Sequence, residues 1–172
     1  MDVKTVDYAA PDAKQSLADS LHETGFAVLV NHPISASRID ESYTRWAAFF
    51  ASEDKHNWLR DPVNQDGFFP FLSENAKGAS AKDLKEFYHV YSWGRVPDQL
   101  SDMTRTLFGD LVGLGQELLG WLDDKMPDAV RNAMTSPLSD MMNQSKQSLF
   151  RILHYPPLSE DVEDEAIRAA AH

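Results

Sequence analysis

The sequence predicts a mixed α+β fold. Helical patterns with apolar residues three and four apart recur along the chain. Short runs rich in Val, Phe and Tyr lie between them and lack that spacing. The two kinds alternate as helix, strand, helix, strand, long helix, strand, and no linker-like stretch interrupts them, so residues 1–172 read as one unit.

Pro11 suits a helix first turn, Ala13, Leu17 and Leu21 follow at spacing four, and Gly25 offers a stop. Phe26-Ala27-Val28-Leu29-Val30 is a continuous apolar run whose length and Val content predict a buried strand, closed by Asn31-His32-Pro33. Ser35 is the expected N-cap of a second helix, with Ile39, Tyr43, Trp46, Ala47 and Phe50 on one apolar face. Asp66-Gly67-Phe68-Phe69-Pro70 reads as a turn with extended chain. Phe87, His89, Tyr91 and Trp93 then alternate with Tyr88, Val90 and Ser92, as in a strand.

A long helix is expected from about Ser101 to about Asp124, carried by Met103, Leu107, Leu111, Leu114, Leu118 and Trp121. Gly109, Gly113, Gly115 and Gly120 each cost such a helix about 1 kcal/mol relative to Ala. They are read as close-packing positions under another element. Pro127 to Met134 fits a short helix, and Met141 and Met142 read as loop or gap-filling residues. Ser148 to Tyr155 reads as a strand ended by Pro156-Pro157, and Ala166 to Ala171 has helix propensity.

Composition narrows the function classes. Sixteen Lys and Arg oppose 27 Asp and Glu, for a net charge of −11. Such a surface repels phosphate backbones and anionic headgroups, so neither nucleic acid nor a membrane is an expected partner. The acidic stretches Ser159 to Glu165 and Asp123-Asp124 read as solvated faces. The chain has no cysteine, which excludes thiolate nucleophiles, disulfide scaffolds and Cys-type metal sites. A metal would need His and carboxylate ligands. The N-terminus shows neither a long apolar core nor a cleavage signal, and a cytoplasmic setting is expected.

The six histidines form no zinc-protease helix motif, and no nucleophile elbow or phosphate-binding loop is present. Residue spacing alone gives no enzyme class. The ordered set of segments is more specific. Leu21 to His32, with Gly25-Phe26 and Asn31-His32, is similar to a strand of the isopenicillin N synthase-like non-haem iron oxygenases. Pro33 stands where many members carry Gly. Phe49-Phe50 with Lys55 resembles a helix end of that family, and Gly67-Phe68-Phe69 resembles its Gly-Tyr turn. Asp83-Leu84-Lys85-Glu86-Phe87 resembles its Lys-Glu strand, and Leu149 to Pro157 its Arg-to-Tyr-Pro-Pro strand. Ala170-Ala171-His172 sits where its first iron-binding histidine stands.

This resemblance implies a helical N-terminal support, over about residues 1–147. The beginning of a double-stranded β-helix (jelly roll) follows over about 148–172, incomplete in this chain. It implies Fe(II) and the co-substrate 2-oxoglutarate, with ascorbate as an optional reductant, and a small-molecule substrate with O2 as partners. His172 is similar to the first iron ligand. Two His and one carboxylate bind one face of the metal and leave the other face open. The carboxylate is expected two residues later, and the second His and a 2-oxoglutarate-gripping Arg further on.

Strand alternation puts Arg151, Leu153 and Tyr155 on one face and Ile152 and His154 on the other. By analogy with the family, Tyr155 and then Arg151 are the expected pocket residues, meeting a carboxylate. The plainer alternatives are a core tyrosine for Tyr155 and an ion pair with a protein carboxylate for Arg151. Leu153 replaces an Asn of many plant relatives. His89, Tyr91 and Trp93 are read as sheet packing or the wall of a substrate mouth, and Lys85 and Glu86 as structural charges.

The expected function is that of an Fe(II)/2-oxoglutarate-dependent dioxygenase, this chain being its N-terminal portion and inactive by itself. The alternative is a truncated or degenerate, non-catalytic member acting as a binding module. A half jelly roll would expose unpaired strand edges, so the chain is expected to be a fragment of a longer protein.

Overall fold

The computed structural model describes residues 2–74, 82–143 and 145–157. It shows mixed helix and strand with two small sheets. Contacts group the chain into two units, and each draws on two separate stretches: Met1–Ile39 with Thr106–Ser145, and Asp40–Arg105 with Lys146–His172. Among the described residues no helix is long and apolar enough to cross a membrane.

The first unit holds β1 (Thr5–Asp7), α1 (Ala13–Thr24), β2 (Val28–Val30), the later part of α3 (Asp98–Lys125), α4 (Asp128–Arg131) and α5 (Leu138–Met142). Gly25 ends α1 as its spacing predicts: it adopts φ 78°, and its N–H bonds the Leu21 carbonyl at 2.9 Å. β1 and β2 pair in parallel, with Val6 opposite Leu29. Val6, Ala13, Leu17 and Trp121 form the core, and Leu21, Leu29 and Leu118 pack against it. Buried Ser20 ties the strands to α1, because its hydroxyl donates to the Phe26 carbonyl at 2.6 Å and accepts from Lys4 N at 3.2 Å.

The run from Phe26 to Val30 forms a strand but not a buried one. Phe26 is 70% exposed, Val28 and Val30 point outward, and only Ala27 and Leu29 turn to the core. A two-stranded sheet has one covered face, so alternation wins over the apolar run. The glycines of α3 also depart from expectation. A Cβ at Gly109, Gly113 or Gly120 would meet nothing within 4 Å, whereas one at Gly115 would touch the Met142 side chain at 3.4 Å. Met142 thus fills a gap, as read, but from a helix. Asp123 is not a solvated charge. It accepts from Leu138 N (2.8 Å), Ser139 N (3.0 Å) and the Ser139 hydroxyl, which caps α5 and lowers its pKa.

The second unit holds most of α2 (Ala36–Ala51), the start of α3, β3 (Gly67–Phe69), β4 (Glu86–Tyr91) and β5 (Leu149–His154). The three strands form one antiparallel sheet in the order β3-β4-β5. Trp46, Phe49 and Phe50 of α2 pack on this sheet, with the Trp46 and Tyr88 rings 5.0 Å apart. Tyr43, expected on the same apolar face, is 76% exposed, and Phe49 takes its place in the core. Asp66, almost wholly buried, accepts from Arg95 N at 2.6 Å and Arg95 Nε at 3.1 Å and so fixes the turn before β3.

Gly67 has φ +107°, and a Cβ there would lie 2.7 Å from the Trp58 carbonyl oxygen. Gly67→Ala is expected to lower stability by about 1–3 kcal/mol. A urea unfolding midpoint equal to wild type would contradict this.

Candidate functional site

The sequence alternation in β4 and β5 gives their sheet two chemically different faces. Register places Phe87 opposite Leu153, His89 opposite Arg151 and Tyr91 opposite Leu149. Directly paired residues share a face, so this face carries Phe87, His89, Tyr91, Arg151 and Leu153, with Phe69 of β3 opposite Phe87. The other face carries Glu86, Tyr88, Val90, Ile152 and His154.

On the first face the aromatic rings form a continuous layer. Phe69 and Phe87 stack with centroids 4.4 Å apart at 16°, and His89 lies 4.4 Å from Phe69 and 5.0 Å from Phe87. Tyr91 and Trp93 stack at 4.8 Å and 4°, and the Trp93 indole N–H is held by the Lys146 carbonyl at 2.9 Å. The Arg151 guanidinium lies 4.7 Å over the Phe87 ring, an arrangement that favours a cation on an aromatic face.

Arg151 Nε donates to His89 Nε2 at 2.8 Å, and His89 Nδ1 lies 3.1 Å from the Gln65 carbonyl oxygen. A guanidinium only donates and a carbonyl only accepts, so both neighbours require the same imidazole: neutral, with its proton on Nδ1. Burial first, and the Arg151 charge second, push the His89 pKa below its ordinary value of 6.5. A histidine held neutral in this way stabilises the folded state above that ordinary value, and the contribution is lost as pH falls from there through the lowered folded-state value.

Arg151 Nη1 also lies 3.8 Å from a Glu74 carboxylate oxygen, and its side chain is 36% exposed. Glu74 sits closer to Lys85, at 3.1 Å, while Lys85 also bonds Asp83 at 2.7 Å. Burial opposes the Lys85 charge, but the two carboxylates outweigh it and raise the Lys85 pKa.

The opposite face carries a buried charge cluster. Glu86 accepts from Lys55 Nζ at 3.0 Å and pairs with His154 Nδ1 at 2.7 Å, and the His154 ring stacks on Phe50 at 5.1 Å. Glu86, the first residue of β4, and Lys85, just before it, are therefore ion-paired structural charges, as read.

Of the expected site residues, Arg151 stands on the aromatic face, while Tyr155 follows the end of β5 and is 37% exposed. They are four positions apart, about 13 Å along an extended chain. His172 lies outside the described residues. Among the described residues no three His, Cys, Asp or Glu side chains come together as a metal site. The pairing of His89 with Arg151 was not apparent from the sequence. They lie 62 positions apart, and only the β4–β5 register brings them together.

Residues 2–107 match the family model described as the non-haem dioxygenase in morphine synthesis N-terminal region. An oxygenase of Shewanella oneidensis is 44% identical with a TM-score of 0.88, covering 100% of this chain and 61% of its own. A 2OG-Fe(II) oxygenase family protein of Caulobacter crescentus is 28% identical with a TM-score of 0.68, covering 92% of this chain and 58% of its own. A full-length Neurospora crassa protein, solved in complex with alpha-KG and thymine, is 18% identical. It shares the fold at a TM-score of 0.68, covering 99% of this chain and 61% of its own. The chain thus spans about three fifths of the length of these solved structures. No curated protein matches it.

Proposed function

The chain belongs to the non-haem iron(II), 2-oxoglutarate oxygenase family, whose N-terminal part it matches, and from this premise we propose that it is the N-terminal portion of an oxidoreductase of that kind acting on a small organic substrate. The observation that carries this reading is the family match over residues 2–107, joined by 44% identity to an oxygenase along the whole chain. The residues from about 148 would open the jelly-roll core, with β5 as its first strand.

Arg151 fits the reading. It is a cation on an aromatic floor, partly exposed, and loosely paired at 3.8 Å with a carboxylate that has a closer partner of its own. A guanidinium presents a fork of N–H donors that matches a carboxylate. We assign Arg151, and Tyr155 just after the end of β5, to the 2-oxoglutarate site, beside the Arg expected further on. Iron would be held by His172 together with side chains outside this sequence, so the 172 residues alone are inactive. A cytoplasmic setting and an optional role for ascorbate complete the proposal.

The test uses the full-length protein with Fe(II), 2-oxoglutarate and O2. Succinate should form across a panel of small substrates, and its absence throughout would count against the assignment. Arg151→Ala should raise the KM for 2-oxoglutarate about 10- to 100-fold, the expected loss of a charge-assisted hydrogen-bonded pair. His172→Ala should abolish iron binding measured by metal analysis, and retained stoichiometric iron would refute its role.

A further inference from the structure

We propose that His89 is a positioning residue that holds the Arg151 guanidinium ready for a carboxylate of 2-oxoglutarate, an inference that rests on the function proposed above. The β4–β5 register sets the two residues directly opposite each other. The hydrogen bond from Arg151 Nε to His89 Nε2, at 2.8 Å, fixes one edge of the guanidinium. The Phe87 ring, 4.7 Å below, fixes its plane. His89 is itself fixed, since its ring is buried against Phe69 and Phe87 and its Nδ1 proton is bound to the Gln65 carbonyl.

The choice of imidazole has a chemical consequence. A carboxylate at this position would orient the arginine equally well but would neutralise it. A neutral imidazole accepts the Nε–H bond and leaves the full positive charge for an incoming anion. Among the described residues, Glu74 stands at the opposite edge, 3.8 Å from Nη1. Because Lys85 holds Glu74 at 3.1 Å, a ligand carboxylate can take its place at Arg151 without leaving Glu74 unpaired. Among the described residues, the titratable groups facing His89 are Arg151 from β5, Glu74 from the segment before β4, and the Tyr91 ring on its own strand. Protonation would convert Nε2 from acceptor to donor and turn it against the guanidinium. The clamp is therefore expected to release as pH falls below the usual histidine range, a direction that burial and the Arg151 charge oppose.

The test compares wild type, His89→Phe and His89→Gln in the full-length iron-loaded protein. Phe keeps an aromatic ring in the layer and removes the acceptor, whereas Gln supplies an acceptor oxygen at a similar reach. Nitrogen-15 NMR of wild type should show His89 protonated on Nδ1 at neutral pH, with a bonded Arg151 Nε–H. That Arg151 signal should shift to its solvent-exposed position in His89→Phe. The 2-oxoglutarate KM should rise about tenfold in His89→Phe with kcat held, and return to within about threefold of wild type in His89→Gln. An Nε2-protonated His89, or an unchanged KM in a folded His89→Phe, would overturn the proposal while leaving the oxygenase assignment standing. A wild type that binds no 2-oxoglutarate would overturn both.

Discussion

Trp46→Ala is expected to lower the unfolding free energy by about 3–5 kcal/mol, the range for removing a buried Trp side chain. Trp46 is 2% exposed and touches Phe49, Phe50 and Tyr88, with ring centroids 5.2, 6.1 and 5.0 Å away. Its indole N–H also donates to the Thr104 hydroxyl at 3.1 Å. Thr104 is fully buried, so truncation creates a cavity and strips a buried oxygen of a donor. Trp46→Phe should refill most of the volume and recover most of the loss, leaving about 1–2 kcal/mol for the missing hydrogen bond. Guanidinium unfolding measures both. An alanine variant within 1 kcal/mol of wild type, on the order of a surface change, would contradict the packing described. The effect reaches the site through β4, because Tyr88 packs on Trp46 and the adjacent His89 carries Arg151.

Glu86→Ala should cost about 3 kcal/mol, the low end of the range for breaking a buried ion pair, because its partners keep some contact with water. The carboxylate is 4% exposed and binds two groups, Lys55 from the segment after α2 and His154 from β5. Removing it leaves the Lys55 ammonium beside an aromatic core and frees His154 from its place on Phe50. Glu86→Gln keeps one acceptor oxygen for two donors and should lose about half as much. Thermal unfolding of the three proteins should rank them wild type, Gln, Ala. A Gln variant less stable than the Ala variant would reverse the reading, since it would mean that the polar group itself, and not its absence, is the burden.

Much of this fold was legible because its elements obey one-dimensional rules. The Ala13-Leu17-Leu21 spacing and Gly25 marked α1, which begins at Ala13, two residues after the Pro11 read into its first turn, and the leucine stripe from Leu107 to Leu118 marked α3. The alternation from Leu149 to His154 marked β5. What escaped depends on partners. β1 has three residues, too few to show a period, and exists through its pairing with β2. The apolar run at Phe26–Val30 could not reveal that only one face of its sheet is covered. Asp123 looked like a surface charge because the N-terminus it caps lies 15 residues later. The site divides in the same way. Alternation and family resemblance pointed to Arg151, but the neutrality of its partner is a consequence of register, and register is not written in either strand alone.

The β3-β4-β5 sheet is assembled from residues on both sides of the 106–145 stretch, which belongs to the other unit. Recombination between relatives therefore cannot move this sheet as a cassette. A crossover within 106–145 would inherit His89 and Glu86 from one parent and Arg151 and His154 from the other. Chimeras should stay folded where the parents agree at those paired positions and fail where they differ, which makes the two strands a single heritable block despite the 57 residues that separate Tyr91 from Leu149.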